Sequence, residues 1–151
     1  AFKALSEAKE KGIIGHIGAT AHNADCLKKL VEEYSDKIET LMFPYNIIEN
    51  QGEEVLVKAR SLGIATIAMK PLAGGNIDDY ELALHYIMAS PAIDIAIPGM
   101  GDPAEVSKNA LAGESFKGFS EADKAEAKKI AEKLGTTFAE DAATALHAPW
   151  E

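Results

Sequence analysis

Four short apolar runs, starting at positions 13, 38, 64 and 93, recur along this chain at intervals of 25, 26 and 29 residues. Between them lie segments with helical spacing. A run that is apolar on both faces and separated from the next by a helix-length crossover is what a parallel strand needs, because parallel neighbours cannot be joined by a tight hairpin. The spacing therefore predicts strands near 13–18, 38–43, 64–69 and 93–98, joined as βα units, and argues against an antiparallel fold.

The helices have their own punctuation. Phe2, Leu5 and Ala8 form one stripe of a helix that Gly12 ends. Asn23 is placed to cap a helix carrying Leu27, Leu30, Val31 and Tyr34, and Gly63 closes the helix EEVLVKARSL. Pro103 opens another, and Ser120 caps a long segment, EADKAEAKKIAEKL, that Gly135 is expected to close. No segment rich in Pro, Gly or Ser marks an internal boundary, so the 151 residues read as one unit. The chain begins as if inside a helix, with no signal-peptide character.

Composition narrows the partners. With 24 acidic and 15 basic side chains the formal charge is -9, which repels nucleic-acid phosphates and anionic membrane surfaces. No stretch reaches the ~18 consecutive apolar residues of a membrane span. A single cysteine, Cys26, excludes an internal disulfide and an all-cysteine metal site, and points to a reducing, cytoplasmic location.

In parallel α/β folds ligands meet the carboxyl ends of the strands. The loops there read GATAHN (18–23), PYNIIENQG (44–52), KPLAGGN (70–76) and PGMGDP (98–103). Gly74, Gly75, Gly99 and Gly101 let backbone amides approach a phosphate, and Lys70 adds a positive charge; the same glycines would also serve plain βα turns. His16 falls inside the first predicted strand, His22 in a loop and His85 in mid-helix, none with a carboxylate or cysteine at ligand spacing, so no metal site or triad is argued. Tyr45, closing a buried strand, and Cys26, opening a helix, read as structural. No catalytic constellation stands in the sequence.

Taken in order, GHIGATAHN, FPYNIIE, IAMKPLAGG and IPGMGDPAEVSKN resemble the second half of an aldo-keto reductase over nearly the whole chain. The resemblance implies an α/β fold, the C-terminal half of a (β/α)8 TIM barrel, with four parallel βα units and a C-terminal helix over 1–135 and a tail over 136–151. It implies a nicotinamide cofactor, NADP or NAD, bound across these strand ends. The family's Asp, Tyr, Lys and His tetrad belongs to the preceding half, so no residue here inherits a catalytic role.

The resemblance assigns cofactor contacts residue by residue. Thr20 and Ala21 stand where the family has serine and asparagine against the carboxamide; Met42 replaces a glutamine, and Met69 a stacking aromatic. Lys70, Pro71, Leu72 and Gly74 fall on the loop around the pyrophosphate. Gly99, beside Met100, replaces a lysine, Glu105 replaces an arginine that often holds the 2′-phosphate, and Asn109 keeps the adenine contact. An acidic Glu105 favours NAD over NADP.

The wording MKPLAGG and IPGM resembles one branch of the family, whose barrel is followed by four cysteines at intervals of three and a proline. Here Ala139, Ala142, Ala145 and Ala148 hold that spacing before Pro149, so no iron–sulfur cluster is expected.

The expected function is the cofactor-binding half of a carbonyl reductase, inactive until a missing N-terminal half-barrel completes it. The alternative is a non-catalytic half-barrel, an engineered or degenerate scaffold, that pairs with a second copy of itself. An open doubly wound sheet is a third arrangement for the same four strands.

Overall fold

The computed structural model describes residues 1–145, with side chains described for 1–135. The elements alternate: α1 (Phe2–Glu10), β1 (Gly18–Thr20), α2 (Ala24–Tyr34), β2 (Thr40–Pro44), α3 (Glu53–Ser61), β3 (Ala65–Met69), α4 (Tyr80–Met88), β4 (Ile95–Ile97), α5 (Pro103–Ser115) and α6 (Glu121–Ala145). A short 3₁₀ turn, Ala73–Gly75, follows β3. All three strand pairings are parallel, and the sheet order is β1-β2-β3-β4.

That order decides between the architectures left open by the sequence. A doubly wound sheet reverses direction at a switch point, whereas here every crossover steps the same way. Right-handed crossovers that all step the same way set the helices on one face of the sheet. The open doubly wound arrangement is therefore excluded, and the half-barrel winding stands.

Packing follows the alternation of each strand. Leu41, Phe43, Thr66 and Ala68 are fully buried, with Leu27 and Val31 of α2, Leu56 and Ala59 of α3, and Ile87 of α4 in the same core. The intervening residues Thr40, Met42, Ala65 and Ile67 are only partly covered, and Ile95 and Ile97 of β4 are 52% and 42% exposed. One face of the sheet is a core and the other is bare.

Local chemistry explains the element ends. The Asn23 side chain accepts from the backbone N–H groups of Asp25 and Cys26, and Asp102 and Asp79 do the same for α5 and α4. Two expectations shift. The first strand begins at Gly18, later than the run from Ile13 suggested, because Ile13 is 72% exposed and His16 turns outward to pair with Glu39. Ile17 alone of that run reaches the core, at 5% exposure. Gly135 does not end α6: with no proline after it and no left-handed φ, the helix continues, at roughly 1 kcal/mol relative to alanine.

At the amino ends of the strands Asp94 ties β3 to β4. Its carboxylate accepts from Thr66 N–H (2.8 Å) and Thr66 Oγ1 (3.1 Å), and pairs with Arg60 at 2.7 Å. Burial alone would raise the Asp94 carboxyl, but the hydrogen bonds from Thr66 and Arg60 outweigh it and hold the pKa below the ordinary aspartate value. A folded-state pKa below the unfolded one means that this stabilisation is present above the ordinary aspartate range and lost as pH falls through the folded value. Urea titrations from about pH 6 to about pH 2.5 should therefore show stability falling in acid, with a shallower fall in Asp94→Asn.

Gly52, the N-cap of α3, is fixed by space. A Cβ there would stand 2.7 Å from Phe43 Cε1 and 2.9 Å from Leu27 Cδ2, both fully buried. We expect Gly52→Ala to lower unfolding free energy by about 1–3 kcal/mol, read by chemical denaturation.

Candidate functional site

Because the strands run in parallel, β1–β4 deliver their carboxyl-terminal loops to one end of the sheet. On the less covered face, Thr20 of β1 pairs in register with Met42 of β2, Met42 with Ile67 of β3, and Met69 with Ile97 of β4, although Met69 itself is buried at 9% exposure. Thr20 presents an exposed hydroxyl and Met42 is half-buried beside it. Ala21, by contrast, is 3% exposed, its N–H donating to the Met42 carbonyl at 3.0 Å.

The loop after β3 has the most unusual backbone of the described residues. Lys70 (φ 54°) and Ala73 (φ 49°) are the non-glycine residues there with positive φ, a region that costs an L-residue about 1–2 kcal/mol. Leu72, at φ −101° and ψ 19°, lies close to the right-handed region immediately before left-handed Ala73. Such a right-to-left pair turns successive backbone N–H groups into one concavity, the anion-binding nest. Ala73 N–H is spent on the Lys70 carbonyl at 2.9 Å, whereas Leu72 and Gly74 donate theirs to nothing among the described residues. The exposed Lys70 side chain opens the same loop and has no ion-pair partner among the described residues.

Two features hold this strained segment. Ala73 is 1% exposed and packs with Ile47, Ile77, Leu82 and Ala83. Asn46, fully buried after β2, donates through Nδ2 to the Lys70 carbonyl at 3.0 Å and to Glu49 Oε2 at 2.9 Å. Its Oδ1 accepts from the N–H groups of Ile48 and Glu49, both at 2.9 Å. The sequence did not single Asn46 out: within PYNIIE it reads as an ordinary turn residue, and its bond to Lys70 spans two loops.

The loop after β4 is differently charged. Gly99 and Met100 are exposed, and Asp102 caps α5 by accepting from Glu105 N–H at 2.9 Å. Glu105 turns back so that its Oε2 accepts from Gly101 N–H at 2.6 Å. Both carboxylates thus occupy the start of α5, where the helix dipole favours negative charge. One turn on, the Asn109 side-chain amide is buried, with neither polar atom partnered among the described residues. A buried amide without partners costs about 1–3 kcal/mol.

The other candidates lie apart from this end. His16 stands outside β1, exposed and paired with Glu39, which corrects the strand position expected for it. His22 is exposed in its loop, and Cys26 is exposed. His85 donates Nε2–H to the Ala112 carbonyl at 2.8 Å and lies edge-on to Phe116. Tyr45 is 1% exposed, its hydroxyl 2.9 Å from Ser90 Oγ and its ring stacked on Tyr86; burial pushes its phenol well above the ordinary range, so it serves packing and not proton transfer. No group of three His, Cys, Asp or Glu that could hold a metal occurs among the described residues, and no described helix is long and apolar enough to cross a membrane. Ala139, Ala142 and Ala145 fall within α6, while Ala148 and Pro149 lie outside the described residues.

The profile of the Aldo/keto reductase family matches residues 1–81. Among solved structures, the aldo-keto reductase AKR11C1 from Bacillus halodurans, in its holo form, superposes with a TM-score of 0.72 at 18% identity, covering 85% of this chain and 54% of that one. The aldose reductase from Giardia lamblia gives 0.68 at 16% identity, over 87% and 50%. A thermostable aldo-keto reductase in complex with the inhibitor epalrestat gives 0.68 at 19%, over 85% and 53%. At these identities the likeness is one of fold, and the chain spans about half the length of those structures. No curated protein sequence matches it.

Proposed function

Since the chain belongs to the aldo/keto reductase family, we propose that it is the cofactor-binding half of an NAD(P)-dependent carbonyl-reducing barrel. The observation that carries this reading is the loop after β3, where an open nest of backbone N–H groups stands beside an exposed lysine. Neutral glycine turns need no such strain; a diphosphate would use both the amides and the charge.

The residues present fit a dinucleotide. Leu72 and Gly74 N–H with Lys70 would hold the pyrophosphate, Pro71 shaping the loop between them. The Asn109 amide, which lacks partners, would take a base such as adenine that both donates and accepts. Gly99 and Met100 would border the same end, and Thr20, Met42 and the largely buried Met69 would lie under the nicotinamide on the same face. When bound, the nicotinamide supplies hydride to a carbonyl carbon. Thr20 offers one hydroxyl towards the carboxamide, fewer polar contacts than the family usually provides. The Glu105 carboxylate would repel an approaching 2′-phosphate, which supports NAD over NADP.

Catalytic groups are assigned to the other half of the barrel, carried by a longer chain or by a separate one. The exposed Ile95 and Ile97 and the outer edges of β1 and β4 are the surfaces that four further parallel strands would cover. The same observation favours a second reading, in which two copies close one barrel without catalysis.

Titration of NADH fluorescence with the folded chain should reveal saturable binding, and Lys70→Asn should weaken it about tenfold while leaving stability intact, because asparagine tolerates positive φ. Glu105→Arg should shift preference towards NADPH by about tenfold. A cooperatively folded chain that binds neither nucleotide would sink the cofactor reading. Light scattering separates the two assemblies: self-completion requires twice the mass of the chain, and a stable monomer rejects it.

A further inference from the structure

We propose that Asn46 is a positioning residue for the phosphate-facing loop, acting through the Lys70 carbonyl. This role presupposes the dinucleotide site proposed above and explains what holds that loop in a strained shape before any ligand arrives.

The Lys70 carbonyl receives two donors, Ala73 N–H at 2.9 Å from its own loop and Asn46 Nδ2 at 3.0 Å from the neighbouring one. Fixing that carbonyl fixes the Lys70–Pro71 peptide plane, and so ψ at Lys70, the torsion by which a residue of left-handed φ (54°) hands the chain on to Pro71. It also fixes the closure at Ala73, which exposes the N–H groups of Leu72 and Gly74. Removing either donor leaves the plane free to rotate towards an unstrained conformation.

Asn46 is itself immobile. It is fully buried, and both its acceptor and donor sides are engaged: Ile48 N–H and Glu49 N–H on Oδ1, Glu49 Oε2 and the Lys70 carbonyl on Nδ2, with its own N–H bonded to the Glu49 carbonyl at 3.0 Å. Three of these five bonds engage backbone N–H groups of the turn 46–49, two of them on the Asn46 side-chain oxygen, and a fourth joins the two side chains within it. The bond to Lys70 is the one that leaves the turn, which is more than a turn residue needs for its own conformation.

Asparagine alone of the small polar side chains can accept twice and donate twice here. Aspartate keeps the two turn bonds and loses the bond to Lys70, and it also faces the Glu49 carboxylate. Pairing it with glutamine at 49 restores a donor to the turn. The double variant Asn46→Asp with Glu49→Gln therefore removes the inter-loop bond while conserving the turn.

The test compares parent and double variant for ADP and for adenosine binding by calorimetry, and for amide hydrogen exchange. Loss of one hydrogen bond at an ordered loop should weaken ADP about fivefold to tenfold and leave adenosine unchanged. Exchange at Ala73, Gly75 and Ile77 should accelerate, with the amides of α2 and α3 unaltered. A general loosening of the fold moves adenosine affinity and helix exchange as well, and that result overturns the proposal. Unchanged loop exchange, or unchanged ADP affinity in a variant whose parent binds, also overturns it. A folded parent that binds neither NADH nor ADP overturns the dinucleotide reading itself, and the positioning role with it.

Discussion

Every crossover in this sheet steps in the same direction, and most of the molecule's chemistry follows from that constraint. A right-handed connection repeated without reversal places the helices on one face and collects the carboxyl-terminal loops at one end. The strands then have two unlike surfaces. Leu41, Phe43, Thr66 and Ala68 lie in a close-packed core with α2, α3 and α4, where even Gly52 has no room for a methyl group. Met42, Ile67, Ile95 and Ile97 lie on the other surface, apolar yet covered only in part or not at all.

The two ends of the sheet carry different loads. At the amino end, Asp94, Arg60 and Thr66 make a satisfied polar clamp between β3 and β4 that contributes to stability. The carboxyl end carries strain and groups without partners among the described residues: positive φ at Lys70 and Ala73, the N–H groups of Leu72 and Gly74, and the buried amide of Asn109. A fold tolerates such costs where the surrounding packing determines the conformation, and here Ala73 and Asn46, both buried, do so.

The periodicity of the apolar runs was enough to read a parallel α/β winding, and the capping role of Asn23 and the helix-opening place of Pro103 could be read directly from residue type. The winding order could not, since one set of spacings serves both reversing and non-reversing sheets. The first strand was displaced because Ile13 and Ile14 look like a strand, whereas Glu39 draws His16 out to the surface. Gly135 misled because a glycine ends a helix when it takes a left-handed φ, which sequence does not reveal. In the candidate site, the glycines of the β3 loop drew attention to the right segment. The residues bearing the strain are nevertheless Lys70 and Ala73, whose conformations come from tertiary packing. Asn46 was illegible for the same reason, as its decisive bond joins segments far apart in sequence.

The sheet order also bears on how the chain reaches its native state. Each strand pairs with the one about two dozen residues earlier, so β1 to β4 can assemble by successive nearest-neighbour zippering, each step closing a loop of similar modest entropy. Such pairing keeps sequence separations shorter than in a sheet whose neighbouring strands lie far apart in the chain. The slow event in a complete barrel would then be its last seam, between the outer edge of β4 and a strand distant in sequence. In the barrel proposed above, the apolar face of β1–β4 would stay open until that seam closed.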